Sequence, residues 1–187
     1  MSPKKAKSNQ VRIIGGQWRR RILRFPDRHG LRPTPDRVRE TLFNWLGQRL
    51  DGLRCLDLFA GSGALGFEAA SRGAREVVMV ECDRQAMVAL KANRDLLGAA
   101  QTSLVEADGL RWLSDERGVF DLIFLDPPFG SDLLPATLDR AATRIAPGGR
   151  IYAEFGIRPD LDGWRVVHEG RAGMSHYCLL ESVREPQ

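Results

Sequence analysis

From Leu53 onward the chain alternates short apolar runs with longer stretches whose apolar residues recur every three or four positions. Apolar runs of four to six residues read as buried strands, and the amphipathic stretches between them read as helices that cover a sheet. The pattern predicts strands at 53–58, 76–81, 102–106, 120–125, 150–155, 164–169 and 176–182, with helices at 64–72, 84–97, 109–114 and 132–144. Such alternation builds an α/β fold of the Rossmann-like kind, a mostly parallel seven-stranded sheet between layers of helices. The last two strands are too close in sequence for a crossover helix, so they are expected to close the sheet as an antiparallel hairpin.

Upstream of this region the pattern changes. Residues 11–14 and 21–25 read as two short strands around Gly15-Gly16, a small hairpin. A helix follows, with Thr34 as its expected N-cap, Pro35 in its first turn, and Val38, Leu42 and Trp45 at helical spacing. The first ten residues are polar and lysine-rich without periodicity and are expected to stay disordered in the absence of a partner. This divides the chain into a basic tail at 1–10, a hairpin-and-helix extension at 11–50 and a main domain at 51–187.

A length of 187 residues with 43% apolar content supports one ordinary core plus an appendage. No apolar run reaches eighteen residues, and Lys4, Lys5 and Lys7 are followed by Arg12 and Arg19 to Arg21 where a secretory leader would place its apolar stretch. A soluble, cytoplasmic protein is expected. Cys55, Cys82 and Cys178 lie far apart without paired spacing, which predicts neither a disulfide framework nor a zinc site.

Charge is segregated along the chain. Residues 1–54 hold 14 Lys/Arg against 4 Asp/Glu, a net of +10, so the remainder is net acidic although the whole chain is +4. Trp18 and Phe25 are interleaved with Arg12, Arg19, Arg20, Arg21, Arg24 and Arg28. Guanidinium groups suit phosphates and rings suit stacked bases, so Arg12, Trp18, Arg19, Arg20 and Arg21 are candidate RNA contacts. A solvated basic leader is the plainer alternative.

Two motifs carry candidate chemistry. The first runs Asp57-Leu58-Phe59-Ala60-Gly61-Ser62-Gly63-Ala64-Leu65-Gly66, after a strand and into a helix. Gly61 and Gly63 let backbone N–H groups approach a ligand, and Glu81, at the end of the second strand, is placed to hold ribose hydroxyls. That spacing alone also fits a dinucleotide. Asp57, just before the glycines, is awkward beside a pyrophosphate but complements a ligand carrying an ammonium and a sulfonium, which favours S-adenosylmethionine. Asp108 sits past the third strand, where it can receive an adenine amino group or cap the next helix.

The second motif is Asp126-Pro127-Pro128-Phe129, directly after the apolar run 120–125. Consecutive prolines stiffen the backbone and remove donors, leaving carbonyls held as acceptors. An exocyclic amino group on a base is a poor nucleophile because its lone pair is delocalised. Accepting its two N–H bonds on the Asp126 carboxylate and the Pro127 carbonyl turns the nitrogen toward tetrahedral geometry, and Phe129 is placed to stack on the base. No metal is needed for this chemistry. A DNA or protein-glutamine amino-methyltransferase, a non-catalytic RNA-binding protein and a nicotinamide-dependent oxidoreductase remain as alternatives.

These residues resemble the class I S-adenosylmethionine-dependent methyltransferases with an Asp-Pro-Pro-Phe motif. More narrowly, the stretch from Arg32 to Leu46 (RPTPDRVRETLFNWL), the glycine loop and Asp126-Pro127-Pro128-Phe129 are similar to the RsmD-type guanine-N2 methyltransferases of 16S ribosomal RNA, from about Val11 to Leu180. The resemblance implies an enzyme acting on a guanine of small-subunit ribosomal RNA, within the 30S subunit or its precursor. It also implies that Thr34 and Arg37 close over cofactor or target and that Arg39 contacts phosphate. A monomer with no membrane partner is expected. Near the C-terminus this chain has Gly173-Met174-Ser175 where the family pattern carries Gly-Gln-Val.

Overall fold

A computed structural model describes residues 8–27, 33–128 and 131–183. Two strands, β1 (Ser8–Arg12) and β2 (Ile22–Pro26), form an antiparallel pair, followed by helix α1 (Asp36–Trp45). The main domain then runs β3 (Arg54–Asp57), α2 (Ala64–Ser71), β4 (Glu76–Glu81), α3 (Arg84–Leu97), β5 (Thr102–Glu106), α4 (Gly109–Asp115), β6 (Phe120–Leu125), α5 (Leu133–Ala141), β7 (Ile145–Phe155), β8 (Trp164–Ala172) and β9 (Ser175–Ser182). The seven-stranded sheet has the order β5-β4-β3-β6-β7-β9-β8. Strands β3 to β7 pair in parallel, and β9 pairs antiparallel with both β7 and β8. The strand order reverses between β3 and β6, which is where ligands bind in open sheets of this kind.

The side-chain period of two divides each strand between the two faces. On one face Cys55, Val77, Met79, Leu122, Phe124 and Tyr152 pack with apolar residues of α1, α2 and α3. On the other, Leu56, Val78, Ile123, Leu125, Ile151 and Ala153 meet Leu113 of α4 and Leu134 and Leu138 of α5. Helix boundaries follow from local chemistry. Asp83 caps α3 by accepting from the Ala86 N–H at 2.8 Å, and Gly98 ends it in the left-handed region, at φ 62°.

Four expectations are corrected. The hairpin begins at Ser8, inside the stretch expected to stay disordered, because Ser8 to Gln10 pair with Pro26 to Arg24. Thr34 is not the N-cap of α1. Pro35 holds that position without a side-chain bond, and Thr34 turns inward, 5% exposed. Helix α5 stops at Ala141 rather than 144, since Ile145 pairs with Phe120 and β7 starts five residues early. Trp18 and Phe25 lie in the core, at 7% and 2% exposure, because the hairpin seats its apolar face on the main domain. Hairpin, α1 and sheet therefore share one apolar cluster.

The junction beneath that cluster is ionic. Glu68 sits in an otherwise apolar helix, fully buried, and its carboxylate accepts from the Ile14 and Gly15 N–H groups, both at 2.8 Å, from Arg39 at 3.2 Å and from Arg72 at 2.8 Å. Arg39 is equally buried. Three more of its hydrogens go to Asp36 Oδ1 at 2.6 Å and to the carbonyls of Arg12 at 2.9 Å and Thr34 at 3.1 Å. The expectation that Arg39 contacts phosphate is therefore overturned: the guanidinium is committed inside the protein.

Candidate functional site

The two motifs meet at the switch point. Asp57, last residue of β3, pairs with Phe124 of β6, so the glycine loop and Asp126-Pro127-Pro128 leave neighbouring strands on the same rim of the sheet. Loop and rim are tied together by Leu58 N–H donating to the Phe124 carbonyl at 3.2 Å and Ala60 N–H to the Val80 carbonyl at 2.9 Å.

Carboxylates shape the glycine loop from both sides. Glu81 Oε2 accepts from the Gly61 N–H at 2.8 Å while Oε1 accepts from the Asp83 N–H at 2.7 Å. Asp57 lies beneath the loop, buried, with Oδ2 accepting from the Gly66 N–H at 2.9 Å. Gly63 has φ +79°, and a Cβ there would lie 2.7 Å from Phe67 and Leu90. Only glycine fits that turn without displacing the helix behind it. Phe59 is half-buried against the α4 side of the sheet, near Gly109. Asp108 is exposed and caps α4, accepting from the Arg111 N–H at 2.9 Å.

Burial pushes the Asp57 carboxyl up to about 7, against the pull of the Gly66 hydrogen bond and with some help from the negative Glu81. The folded state thus favours the neutral acid. The associated stability is complete below the unfolded value near 4 and is lost as pH rises through about 7. Asp57→Asn removes this dependence. The stability difference, variant minus parent, should rise in the variant's favour between about pH 4 and 7 and level off above. Urea melts at pH 4.5, 6 and 8 check this, and a constant difference would show that Asp57 is ionised throughout.

Around Asp126 the structure gathers Thr34 with Glu154 and Tyr152, two residues the sequence did not single out. The Thr34 hydroxyl donates to Asp126 Oδ2 at 3.4 Å. Glu154, near the end of β7, lies beside it, and the Tyr152 hydroxyl donates to Glu154 Oε1 at 2.7 Å. The neighbouring hydroxyls of Thr34 and Ser175 also favour the charged form of Glu154. Burial first, then the negative charges of Glu154 and Asp57, hold the Asp126 carboxyl well above its ordinary range. Burial likewise raises Glu154, opposed by its hydroxyl donors. The alternation of strand residues gave a signal for Glu154, an acid two positions after Tyr152 in an apolar run, but nothing in sequence says which residues it faces.

The rim thus collects Asp57, Gly61, Gly63, Glu81 and Asp108 on one side of the switch point and Asp126, Pro127 and Pro128 on the other. Phe129 lies outside the described residues, as do Arg28 and Arg32. Of the residues expected to contact RNA, Arg12, Arg19, Arg20, Arg21 and Arg37 are exposed, Arg12 pairing with Asp36 at 3.1 Å. Trp18 and Arg39 are buried and leave that set. Among the described residues no group of three or more metal-ligating side chains forms, and no helix is long and apolar enough to cross a membrane.

Comparison with known proteins places this geometry. A family described as "Conserved hypothetical protein 95" matches residues 11–181. The chain is 41% identical over 191 residues to the ribosomal RNA small subunit methyltransferase D of Escherichia coli strain K12, covering 99% of this chain and 96% of that protein. The solved structure of the putative methyltransferase yhhF from Escherichia coli is similar with a TM-score of 0.86 at 41% identity, covering 96% of this chain and 100% of that one. The Thermus thermophilus 16S rRNA N2 G1207 methyltransferase RsmC, solved in complex with AdoMet and guanosine, is similar with a TM-score of 0.70 at 25% identity, over 95% of this chain and 50% of that one.

Proposed function

The chain belongs to the ribosomal RNA small subunit methyltransferase D family, and from that premise we propose that it transfers the methyl group of S-adenosylmethionine to the exocyclic N2 of a guanine in 16S ribosomal RNA. The observation that carries this reading is the meeting of the glycine loop and the Asp126-Pro127 corner on adjacent strands at the switch point. The residues fit a cationic methyl donor. Carboxylates flank a turn that only glycines fit, and no Lys or Arg among the described residues pairs with Asp57, Asp126 or Glu154. Glu81 and Asp108 would hold its ribose and adenine ends, the Gly61 to Gly63 amides would cradle it, and Asp57 would support that loop.

When bound, the donor supplies an electrophilic methyl carbon. The protein's own work is to admit an unstacked guanine, orient its amino group and exclude water. Asp126 and the Pro127 carbonyl accept the two N–H bonds of that amino group, which localises the nitrogen lone pair and aims it across the rim. The methylated nitrogen is far more acidic than the starting amine, so its proton leaves readily, and the Asp126 carboxylate is adjacent to receive it. Exposed Arg12, Arg19, Arg20, Arg21 and Arg37 supply positive charge for the RNA backbone. The substrate is the small subunit or its precursor in the cytoplasm, and the enzyme acts as a monomer.

The test is transfer of a labelled methyl group to small subunits lacking the modification, compared with deproteinised RNA and duplex DNA, followed by nucleoside analysis. Label should appear as N2-methylguanine on the subunits. Label on DNA, on another atom, or on no RNA would overturn the proposal.

A further inference from the structure

Glu154 is a second acid beside Asp126 at the rim, and like Asp126 it is held by neutral donors. Glu68, also buried, is neutralised by two guanidinium groups. Glu154 instead accepts from the Tyr152 hydroxyl on its own strand at 2.7 Å, with the hydroxyls of Thr34, from the segment before α1, and Ser175, at the start of β9, as neighbours. Among the described residues no Lys or Arg pairs with it. Half-buried carboxylates next to a second acid are costly, and a fold that merely filled space here would do better with a neutral side chain.

Register gives the acid a direction. Phe124 of β6 lies opposite Tyr152 of β7, and Leu125 lies opposite Ala153. Side chains two residues on share a face, so Asp126 and Glu154 leave adjacent parallel strands side by side on the face that carries Phe124 and Tyr152, about 5 Å apart in backbone spacing. Thr34 reaches both. The rim therefore presents the Asp126 and Glu154 carboxylates side by side, with Pro127 directly following Asp126.

We infer that Glu154 is a specificity-determining residue that accepts the N1–H of the target guanine while Asp126 and Pro127 hold its amino group. This rests on the proposed function above. Guanine presents N1–H and the 2-amino group as three adjacent hydrogens on one edge, and a base removed from its stack is read on that edge. A purine with a 2-amino group but an unprotonated N1 turns a lone pair toward Glu154 and is rejected. The amino group alone is common to both, so Asp126 and Pro127 cannot make this distinction. The second acid makes it.

The probes are guanosine and 2-aminoadenosine, titrated against the protein saturated with S-adenosylhomocysteine. The parent should prefer guanosine by about tenfold or more. Glu154→Gln, whose amide can donate to N1, should erase or invert that preference. Glu154→Ala should bring it near unity. Both variants should lose at least about tenfold in methyl transfer to unmodified small subunits while S-adenosylhomocysteine affinity stays at the parent value. Thermal melts of both variants establish that they are folded. Glutamine and alanine variants that keep the parent's guanosine preference would overturn the inference. A parent that methylates no small-subunit guanine would overturn the proposed function instead.

Discussion

Asp126→Asn should lower methyl transfer to small subunits by roughly 10²–10³ while leaving S-adenosylhomocysteine affinity within about twofold. The asparagine keeps the size of the side chain and one acceptor oxygen. It also turns an NH₂ toward an amino group that has only hydrogens to offer, so the arrangement that localises the nitrogen lone pair is lost. Because the donor is held by the loop after β3 and by Glu81, binding and turnover should separate. A second readout is the pH profile. Burial and the neighbouring acids hold the Asp126 carboxyl well above the ordinary range. Its ionised, accepting form therefore grows as pH rises, and the parent should show a rate that climbs with pH along a limb lying above normal carboxylate titration. The variant should lack that limb. Full turnover in the variant would remove Asp126 from the chemistry and leave the diproline corner as a stiff turn.

The main domain was legible because its information is local. Apolar runs gave β4, β5 and β6 their bounds, the amphipathic stretch 84–97 gave α3 its bounds, and the glycine loop and Asp126-Pro127-Pro128 announced themselves by spacing. Failures occurred where long-range contacts override a local preference. Thr34 before a proline reads as a cap, but Arg39 grips its carbonyl and Asp126 its hydroxyl, drawing it inward. Arg39 on an amphipathic helix reads as a solvated or phosphate-binding residue. Its partner Glu68 is concealed in a helix of Ala, Leu, Gly and Phe, where nothing local marks an acid as buried. Trp18 among arginines reads as a stacking platform, yet it lies in the turn between the two strands, where its N–H donates to Ser71 Oγ at 2.9 Å and its ring is buried in the core. Glu154 needs the β6–β7 register before it can be placed beside Asp126.

Bonding to Glu68 draws Arg39 inward, and Arg39 in turn holds the Thr34 carbonyl. The segment from Thr34 to Glu40 resembles the most family-specific part of the sequence, and the structure connects it by a continuous chain of hydrogen bonds from Glu68 through Arg39 to Thr34 and on to Asp126. Glu68→Ala removes a carboxylate shared by two buried guanidinium groups and also strips the acceptor from two backbone N–H groups, those of Ile14 and Gly15. Breaking a buried ion pair by deleting one partner costs about 3–5 kcal/mol. A chain of this size loses roughly 2–4 °C of melting temperature per kcal/mol, so a drop on the order of 10 °C is expected. Glu68→Gln, which keeps one acceptor oxygen, should lose less. Glu68→Ala should also weaken methyl transfer at temperatures where the protein is fully folded, because Thr34 is no longer drawn toward Asp126. Asp126 and Glu81 themselves remain in place, so donor affinity should hold. A melting temperature within 2 °C of the parent would show that Arg39 and Arg72 reach solvent when Glu68 is gone, and that the extension is joined to the sheet by apolar contacts alone.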